Sequence, residues 1–503
     1  MRPYMMKRSG SDHMAMLGHR VERIESPSFW MMGIVLLGLA SAMVPCIIVG
    51  LIYGESLTPF FAPFVFYLFF GSLFLGIFKM GYVRPVNVLV MLAVIWLTSI
   101  GFGMIPFCLG GMEFIDALLE SASGFTTAGC STISDFSKWS NSILFYRSLS
   151  NWVGGIMIIL IVMLILPMAK VGNRSIVSNE MSGSGSTNVS VRLRDAAAQF
   201  SYIYLLLTAV MIALLLITGT KVFDAVSLAL CTVSTGGLAS GDIEINEAAR
   251  IIMIVFMFLG GTNFYLHFKA IYLRKPVVYR RSSEFMGLLA WCFVMSIVMY
   301  FLVEPYSSSS PINTYIDAVF AVISSSTTTG YTLDSMATWP KVTMILMFAI
   351  SFVGASSGST SGGVKMSRMI VLLKYIKNSI DHLVHPNTVD EIYMDGSPVS
   401  RDYVRMCAVV VFMFMVTICV FTVIFMLTGV ESIDSIEVVL SMVTSLGTVD
   451  VDIEAMSAFH KSLIVVMMWV GRLEVLVALA ILSPRVWAEH YRDIVHRIRA
   501  SRM

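Results

Sequence analysis

Charged side chains are scarce in this sequence. Asp, Glu, Lys and Arg make up 13% of its 503 residues, whereas hydrophobic residues make up 57%. Soluble domains average about 25% charged residues, so the composition excludes an ordinary water-soluble fold. It is typical of an integral membrane protein.

Motifs that carry enzyme chemistry are also lacking. The sequence contains no Walker loop, no dinucleotide fingerprint and no catalytic zinc motif, and no long polar segment that would form a soluble domain. Its 7 cysteines lie mostly in apolar stretches, at spacings that suit neither a disulfide framework nor a zinc site. We therefore expect neither an enzyme nor a receptor, no cofactor and no nucleic-acid partner.

Ten apolar windows occupy most of the chain. They lie near residues 28–53, 59–78, 86–109, 143–168, 198–219, 251–273, 284–303, 342–354, 405–428 and 462–484. A helix of about 20 residues crosses the roughly 30 Å of bilayer hydrocarbon, and every window except 342–354 reaches that length. Ten spans place both termini on the same side of the membrane.

The basic residues indicate which side that is. Of the 34 Lys and Arg residues, 27 lie in the N-terminal tail, in 79–84, 170–194, 269–281 and 365–405, and in the C-terminal tail. Because cytoplasmic segments carry an excess of positive charge, both termini are predicted to be cytoplasmic. The polar N-terminal residues lack a small-residue cleavage site after the first apolar run, so we expect no removable signal peptide.

One internal repeat explains a polar run, "SSSTTTGYT" at 324–332, inside so apolar a chain. In four places an Asp precedes a Gly by thirteen residues, and another Gly follows about 24 residues later. The Asp–Gly pairs are Asp116 and Gly129, Asp224 and Gly237, Asp317 and Gly330, and Asp434 and Gly447; the later glycines are Gly154, Gly260, Gly354 and Gly471. The pattern predicts a unit of span, short helix, polar strand and span, used four times.

The short helix and the strand have a physical interpretation. We interpret each Asp as the N-cap of a re-entrant helix that rises about 16 Å, roughly half a bilayer. The C-terminal end of such a helix carries about half a negative charge, which favours a cation at mid-depth. Non-helical backbone at that depth must face protein or a water-filled path, and four strands around one axis supply carbonyl oxygens that replace an ion's hydration shell.

The motifs resemble those of the TrkH branch of the Trk/Ktr/HKT potassium transporter superfamily. They are "SGFTTAG" (123–129), "STGGLAS" (234–240), "STTTGYT" (326–332), "GASSGSTSGGVK" (354–365) and "GRLEVL" (471–476). The resemblance implies an all-α membrane protein with four M1–pore helix–M2 repeats around one pore, preceded by two extra transmembrane helices. It also implies a homodimer regulated by a cytosolic TrkA-like nucleotide-binding ring. Because Gly129 stands where sodium-transporting plant members have serine, potassium is the expected ion.

The repeats give the expected organisation of the chain. The predicted segments are a cytoplasmic tail (1–27), an additional transmembrane hairpin (28–85), and four pore repeats at 86–195, 196–282, 283–402 and 403–503. The third includes a gating loop and a cytoplasmic helix. K⁺ is expected to bind at the carbonyl oxygens of the selectivity filter, whose predicted residues are Thr126, Thr127, Ala128, Gly129, Ser234, Thr235, Gly236, Gly237, Thr327, Thr328, Thr329, Gly330, Ser445, Leu446, Gly447 and Thr448.

Two features below the filter predict a gate. The loop 354–365 is rich in small residues and interrupts an apolar span; its predicted gate residues are Gly354, Gly358, Gly362, Gly363 and Lys365. A helix-packing face of small residues is the alternative interpretation. The sequence leaves open whether Lys365 points inward or toward the cytoplasm.

Arg472 is the other feature, because it occupies a position where the other repeats have Gly155, Gly261 and Ala355. A charge at the bilayer centre must face water or a partner, and we interpret Arg472 as an electrostatic barrier in the permeation path. The alternative is a structural ion pair; Glu474 is a poor partner, because residues two apart lie on different helix faces.

Potassium uptake through a pore in the cell (inner) membrane is the predicted function. The alternative is a symporter coupled to sodium or protons, for which Glu474 is the main candidate acid. The apolar and basic segment 365–402 predicts an interfacial or cytoplasmic helix in contact with lipid or a partner.

Overall fold

A computed structural model describes residues 23–81, 83–162, 189–238, 245–385 and 391–500. The expectations for residues 1–22 of the N-terminal tail, for 163–168 of the fourth window, for much of the basic segment 170–194, and for Ala239 and Ser240 of the second filter motif lie outside these residues.

Helices dominate the described chain. In the N-terminal half they are α1 (Pro27–Tyr53), α2 (Thr58–Ile77), α3 (Pro85–Gly103), α4 (Ile105–Leu109), α5 (Phe114–Thr126), α6 (Asn141–Leu160), α7 (Val189–Ile217), α8 (Val222–Val233), α9 (Glu247–Gly260), α10 (Phe264–Tyr272) and α11 (Val278–Arg281). In the C-terminal half they are α12 (Ser283–Val303), α13 (Pro311–Ser326), α14 (Lys341–Val353), α15 (Met366–Val384), α16 (Arg401–Leu427), α17 (Ser432–Thr444), α18 (Ala458–Leu473), α19 (Val475–Leu482) and α20 (Pro484–Ala500).

The strands are short. β1 (Ile24–Glu25) pairs in parallel with β2 (Phe78–Lys79), and β3 (Tyr393–Met394) pairs antiparallel with β4 (Ser397–Pro398). Single 3₁₀ turns lie at Phe136–Lys138, Glu304–Tyr306 and Asp334–Thr338.

The helices confirm a multi-pass membrane protein. Within the described residues, 7 unbroken helical stretches are long and apolar enough to span a bilayer, and 2 bent helix pairs raise the total to 9. The shorter α14 occupies the eighth window, 342–354. α7 begins at Val189, seven residues before Ala196, where the second repeat was expected to start.

Two predicted continuous spans are wrong, because the chain breaks inside them. The window 251–273 is divided between α9 and α10, which meet at 96°, and the window 462–484 between α18 and α19, which meet at 111°. Asn263 causes the first break by capping α10, its side chain accepting a hydrogen bond from the N–H of Tyr265 at 2.9 Å. At the second, Glu474 has a positive φ of 65°, which no α-helix accommodates. Within the described residues, breaks therefore occur in the second and fourth repeats as well as at the small-residue loop of the third.

The predicted aspartate N-caps are also wrong. The re-entrant helices α5, α8, α13 and α17 have Glu113, Lys221, Ser310 and Glu431 at their N-caps. Asp116, Asp224 and Asp434 therefore lie in the first turn, where they still interact favourably with the helix dipole. Asp317 lies deeper in α13, because Pro311 and the capping side chain of Ser310 start that helix earlier.

Two of these aspartates connect neighbouring repeats. Lys461 Nζ, on α18 of the fourth repeat, lies 2.6 Å from Asp116 Oδ1 of the first. Arg250, on α9 of the second repeat, pairs in the same way with Asp317 of the third. Lys461 and Arg250 occupy equivalent positions, ten residues before Gly471 and Gly260. The pairs join repeat four to one and repeat two to three.

The apolar interior divides along the same lines. One core cluster combines buried side chains from the N-terminal hairpin and from repeats one and four, including Trp96, Phe125 and Met468. A second cluster combines repeats two and three, including Phe264 and Phe320. The pore strands lie where the two halves meet.

We predict that Asp116→Asn and Asp317→Asn each lower the free energy of unfolding by about 1–2 kcal/mol, because each leaves a poorly exposed cation without its partner. Thermal unfolding in detergent measures the change. Asp224→Asn and Asp434→Asn are the matched controls: no ion pair links either residue to another described side chain, so only about 0.5 kcal/mol of helix-dipole interaction is lost. Equal destabilisation in all four variants would contradict the assignment.

Candidate functional site

The four polar strands share one backbone conformation. A residue in the left-handed region follows each pore helix, directly in repeats one and four and after one intervening residue in repeats two and three. It is followed by a residue without a positive φ and then by the glycine of the repeat, again in the left-handed region. The positive φ values are 51° at Thr127, 53° at Thr235, 53° at Thr328 and 61° at Ser445, and 80°, 62°, 78° and 79° at Gly129, Gly237, Gly330 and Gly447. Such alternation turns successive carbonyls toward one side of a strand.

The N–H groups at the start of each strand bond back to the pore helix. Thr127 donates to the carbonyl of Gly124 and Ala128 donates to that of Ser123, both at 3.0 Å. The same two bonds recur at residues 235 and 236, 328 and 329, and 445 and 446. This is the Schellman arrangement of a helix C-terminus, with threonine or serine where glycine is usual. It satisfies the N–H groups and leaves the strand carbonyls available.

The four strands form a closed ring. A Cβ atom added to Gly129 would lie 2.5 Å from the carbonyl oxygen of Gly236 in the second repeat. A Cβ atom added to Gly237 would lie 1.8 Å from the carbonyl oxygen of Thr329. For Gly330 the added Cβ would lie 1.9 Å from Leu446 O, and for Gly447 it would lie 2.0 Å from Ala128 O. Each glycine therefore abuts a carbonyl of the next repeat, and the order one, two, three, four returns to one.

Only glycine satisfies this geometry, for two independent reasons. The left-handed φ disfavours any side chain, and the neighbouring carbonyl fills the space that a Cβ would need. The ring brings Ala128, Gly236, Thr329 and Leu446 together at one level, although they come from segments up to 318 residues apart. Each of these four predicted filter residues contributes the carbonyl oxygen that abuts a glycine of a neighbouring repeat.

Side chains hold the outer ends of the strands. The hydroxyls of Ser324 and Ser441 donate to the carbonyls of Tyr331 and Thr448 at 3.0 and 2.8 Å. In the second repeat, the thiol of Cys231 makes the equivalent contact with the carbonyl of Leu238 at 3.0 Å. These bonds tie the second, third and fourth strands to their own pore helices.

A buried ion pair supports the first strand, and sequence analysis missed it. Glu120 and Arg147 are 0% and 1% exposed, and Arg147 Nε lies 2.9 Å from Glu120 Oε2. Glu120 also accepts hydrogen bonds from the Thr132 N–H and the Ser131 hydroxyl, both at 2.7 Å. The available signal was an acid inside a re-entrant helix together with an arginine inside an apolar span.

The mid-span glycines allow the second helices to approach the pore helices. A Cβ atom added to Gly154, Gly260 or Gly471 would lie 2.1, 2.8 or 2.2 Å from the carbonyl oxygen of Phe125, Val233 or Val443, respectively. These carbonyls occupy equivalent places in the last turn of each pore helix. Gly354 differs: its added Cβ would meet Gly362 O at 2.5 Å, inside the small-residue loop.

The loop 354–365 runs directly under three of the strands. Thr360 Oγ1 lies 3.0 Å from Thr235 Oγ1 of repeat two, and the Gly362 N–H donates to Thr328 Oγ1 of repeat three at 2.6 Å. A Cβ atom added to Gly362 would lie 2.1 Å from Thr444 O of repeat four. The loop is non-helical and almost wholly buried, so its backbone lies in protein and not in lipid.

The predicted gate residues fall in different parts of this loop. Gly354, Gly358 and Gly363 have positive φ values of 69°, 73° and 74°, whereas Gly362 does not and instead provides close approach to repeat four. Lys365 has a positive φ of 85° and folds back, its Nζ donating to the carbonyl and hydroxyl of Ser361. It therefore points into the loop.

Arg472 is a buried cation near the end of α18. Its side chain is 6% exposed, and its Nε and Nη2 atoms have no hydrogen-bond partner among the described residues. Glu474, which the sequence analysis considered a poor ion-pair partner for Arg472, pairs instead with Arg368, whose Nη2 lies 2.6 Å from Glu474 Oε2. The charge of Arg472 is thus not neutralised by the nearest acid in sequence.

A cavity of about 700 Å³ lies beside the loop that follows the first strand. Its lining includes Glu113, Asp116, Asp135 and Glu454, together with Thr132 and Ser134 of that loop. The hydroxyl of Ser134 also bonds Glu454 from the fourth repeat. Acidic groups of two repeats therefore meet near one end of the strands.

Comparison with known proteins gives consistent matches. Residues 109–487 match a family described as "TrkH: Cation transport protein". The Trk system potassium uptake protein TrkH of Escherichia coli strain K12 is 30% identical over 416 residues, which cover 79% of this chain and 86% of that protein. The protein of the same name from Vibrio parahaemolyticus is 28% identical over 476 residues, covering 90% and 98%.

A solved structure matches as well. The crystal structure of the potassium transporter TrkH from Vibrio parahaemolyticus superposes with a TM-score of 0.82 at 26% sequence identity. The match covers 91% of this chain and 99% of the other, so it includes the hairpin, the strands and the loop region together.

Proposed function

The chain belongs to the TrkH family of cation transport proteins, and we propose on that premise that it takes up potassium through the pore formed by its four strands. The relatives from Escherichia coli and Vibrio parahaemolyticus are named as potassium uptake proteins. The observation that carries the proposal is the closed ring in which each strand glycine abuts a carbonyl of the next repeat.

The ring supplies what a dehydrating cation needs. K⁺ loses its hydration shell only where oxygen dipoles replace it. Among the described residues the carbonyls of Ala128, Gly236, Thr329 and Leu446 accept no hydrogen bond, whereas that of Gly330 accepts one from the Thr448 hydroxyl. The C-terminal ends of α5, α8, α13 and α17 add partial negative charge at the same depth. No side-chain carboxylate is needed at the ring itself.

The loop and Arg472 form the gate of this pore. The loop passes beneath strands two, three and four, which supports a closed pathway on that side. The charge of Arg472 lacks hydrogen-bond partners for two of its nitrogens within the described chain. At about 4 Å and an effective dielectric near 20, such a charge repels a monovalent cation by about 4 kcal/mol.

Orientation and assembly complete the proposal. The distribution of Lys and Arg supports cytoplasmic termini in a bacterial-type inner membrane. A homodimer and a cytosolic TrkA-like nucleotide-binding ring are the proposed partners, since the "Trk system" relatives are named as parts of a system. Exposed apolar side chains on α15, such as Leu373 and Ile380, suit contact with lipid or with one of these partners.

Coupling to sodium or protons is less well supported. Glu474 was the candidate acid, but its carboxylate is held by Arg368 and is part of no cation site with other acids in the described chain. A pore that follows the potassium gradient alone is the simpler mechanism.

The filter is tested by Gly447→Ala with Gly429→Ala as its matched control. Both glycines have positive φ, 79° and 94°, but a Cβ on Gly447 meets Ala128 O whereas a Cβ on Gly429 meets nothing within 4 Å. We expect Gly447→Ala to lower rubidium uptake into reconstituted vesicles at least about tenfold and to weaken the preference for rubidium over sodium. Gly429→Ala introduces only a backbone strain of about 1 kcal/mol and should leave uptake near that of the wild type. Equal uptake by both variants would refute the ring as the filter.

The barrier role of Arg472 predicts faster transport when its charge is removed. Arg472→Ala is expected to raise rubidium uptake about tenfold or more, since each 1.4 kcal/mol changes a rate about tenfold. Arg472→Lys keeps the charge and stays close to wild type. Because the described chain shows no acid bonded to Arg472, thermal stability should change little; slower uptake with a lower unfolding midpoint would show a structural role instead.

A further inference from the structure

One arginine contacts both parts of the proposed gate. Arg368 lies in the first turn of α15, three residues after the loop. Its Nη1 donates to the carbonyl of Val364, near the loop's end, at 3.0 Å, and its Nη2 lies 2.6 Å from Glu474 Oε2. The planar guanidinium with several fixed donors makes two such contacts in different directions at once.

Glu474 stands at the turning point of the fourth repeat. It is the single residue between α18 and α19, where the helix axis changes direction by 111°. Its backbone has φ 65° and ψ 129°, a conformation that costs a non-glycine residue on the order of 1–3 kcal/mol. Its carbonyl accepts hydrogen bonds from the N–H groups of Val477 and Ala478 at 2.9 and 3.1 Å, so α19 starts from this residue. Arg472 lies two residues before it.

The loop end that Arg368 contacts is a fixed junction. The N–H groups of Val364 and Lys365 donate to the carbonyls of Phe352 and Val353 at the end of α14, both at 3.0 Å, and Met366 donates to Ala355 at 2.9 Å. The two ends of the loop are therefore held together. Moving the loop away from the strands displaces Val364 and with it the Arg368 side chain.

We propose that the Arg368–Glu474 ion pair is a latch that holds the loop of repeat three and the helix break of repeat four in the closed position together. The inference rests on the proposed function of the chain as a potassium pore. The pair is the direct link between the loop and the helix that carries Arg472, and it is accessible enough to open, with side chains 11% and 33% exposed. Arg368 and Glu474 are positioning residues: they contact the gate and not the ion.

With this latch, a single motion would release both the loop 354–365 and Arg472 from the pore. α15 is a rigid helix of 19 residues that begins directly after the loop, so a displacement of this helix moves Arg368 in its first turn. Separation of Arg368 from Glu474 removes the bond between the loop end and the helix break, so that the loop of repeat three can move relative to the fourth repeat. Both the loop and Arg472 can then leave the pore.

The experiment measures basal rubidium uptake by the full-length protein in vesicles without any cytosolic partner. Arg368→Gln, and Glu474→Gln, which is isosteric with the native residue, are each expected to raise uptake up to about fivefold, the effect of the ~1 kcal/mol that one partly exposed ion pair contributes to a closed state. The double variant should equal either single variant, because both remove the same interaction. Arg405→Gln removes an exposed pair with Asp402 on α16 and serves as the control without effect.

The outcomes separate the latch from the pore itself. Unchanged or lower uptake in both single variants, or effects that multiply in the double variant, would overturn the latch. A variant that lacks residues 356–362 of the loop tests the pore independently. If this variant passes no rubidium, the proposed function fails. If it passes rubidium but Arg368→Gln and Glu474→Gln show no increase in uptake, only the latch fails. A merely structural pair predicts a lower unfolding midpoint and slower uptake. If Arg368→Gln does not fold, Glu474→Gln decides.

Discussion

Four strands of non-helical backbone lie in the interior of this membrane protein. Because the hydrocarbon region holds no water, the polar groups of each strand must be satisfied within the protein or by a bound ion. The backbone meets this constraint in two ways. The first two N–H groups of every strand donate to carbonyls of the pore helix, and carbonyl oxygens of the strands are left to coordinate an ion. Left-handed φ at two positions per strand makes this arrangement possible. The glycines are then fixed by the carbonyl of the next repeat, which leaves no room for a Cβ atom.

The rest of the architecture keeps these strands at contact distance. Repeats four and one share one apolar core and the Lys461–Asp116 pair, while repeats two and three share another core and the Arg250–Asp317 pair. The ring of strands proposed as the filter lies across the seam between these two halves. A pore placed at such a seam is sensitive to small relative movements, and the loop of repeat three bridges it by contacting repeats two and four.

Periodic features of the sequence predicted much of this arrangement. The thirteen-residue interval and the later glycine located the pore helices, the strands and the close contacts of the second helices, because repeated backbone geometry demands repeated residue types. Features that depend on one side chain were not predictable. Ser310 and Glu113, not the aspartates, begin their helices, and Asn263 and Glu474 break two spans that are mainly apolar in composition. The Arg368–Glu474 pair joins segments 106 residues apart, so no local pattern predicts it, whereas Glu120 and Arg147 are individually conspicuous in their apolar surroundings but nothing in the sequence shows that they pair.

The central claim is that a cation sheds its water at the level of the carbonyls of Ala128, Gly236, Thr329 and Leu446. Anomalous diffraction from crystals of the protein grown in rubidium or thallium salt tests this directly, since either ion replaces K⁺ and is visible by its own scattering. The account predicts a peak on the axis, within about 3 Å of carbonyl oxygens from all four repeats. Peaks confined to the acidic cavity near Glu113 and Glu454, with none inside the ring, would contradict it.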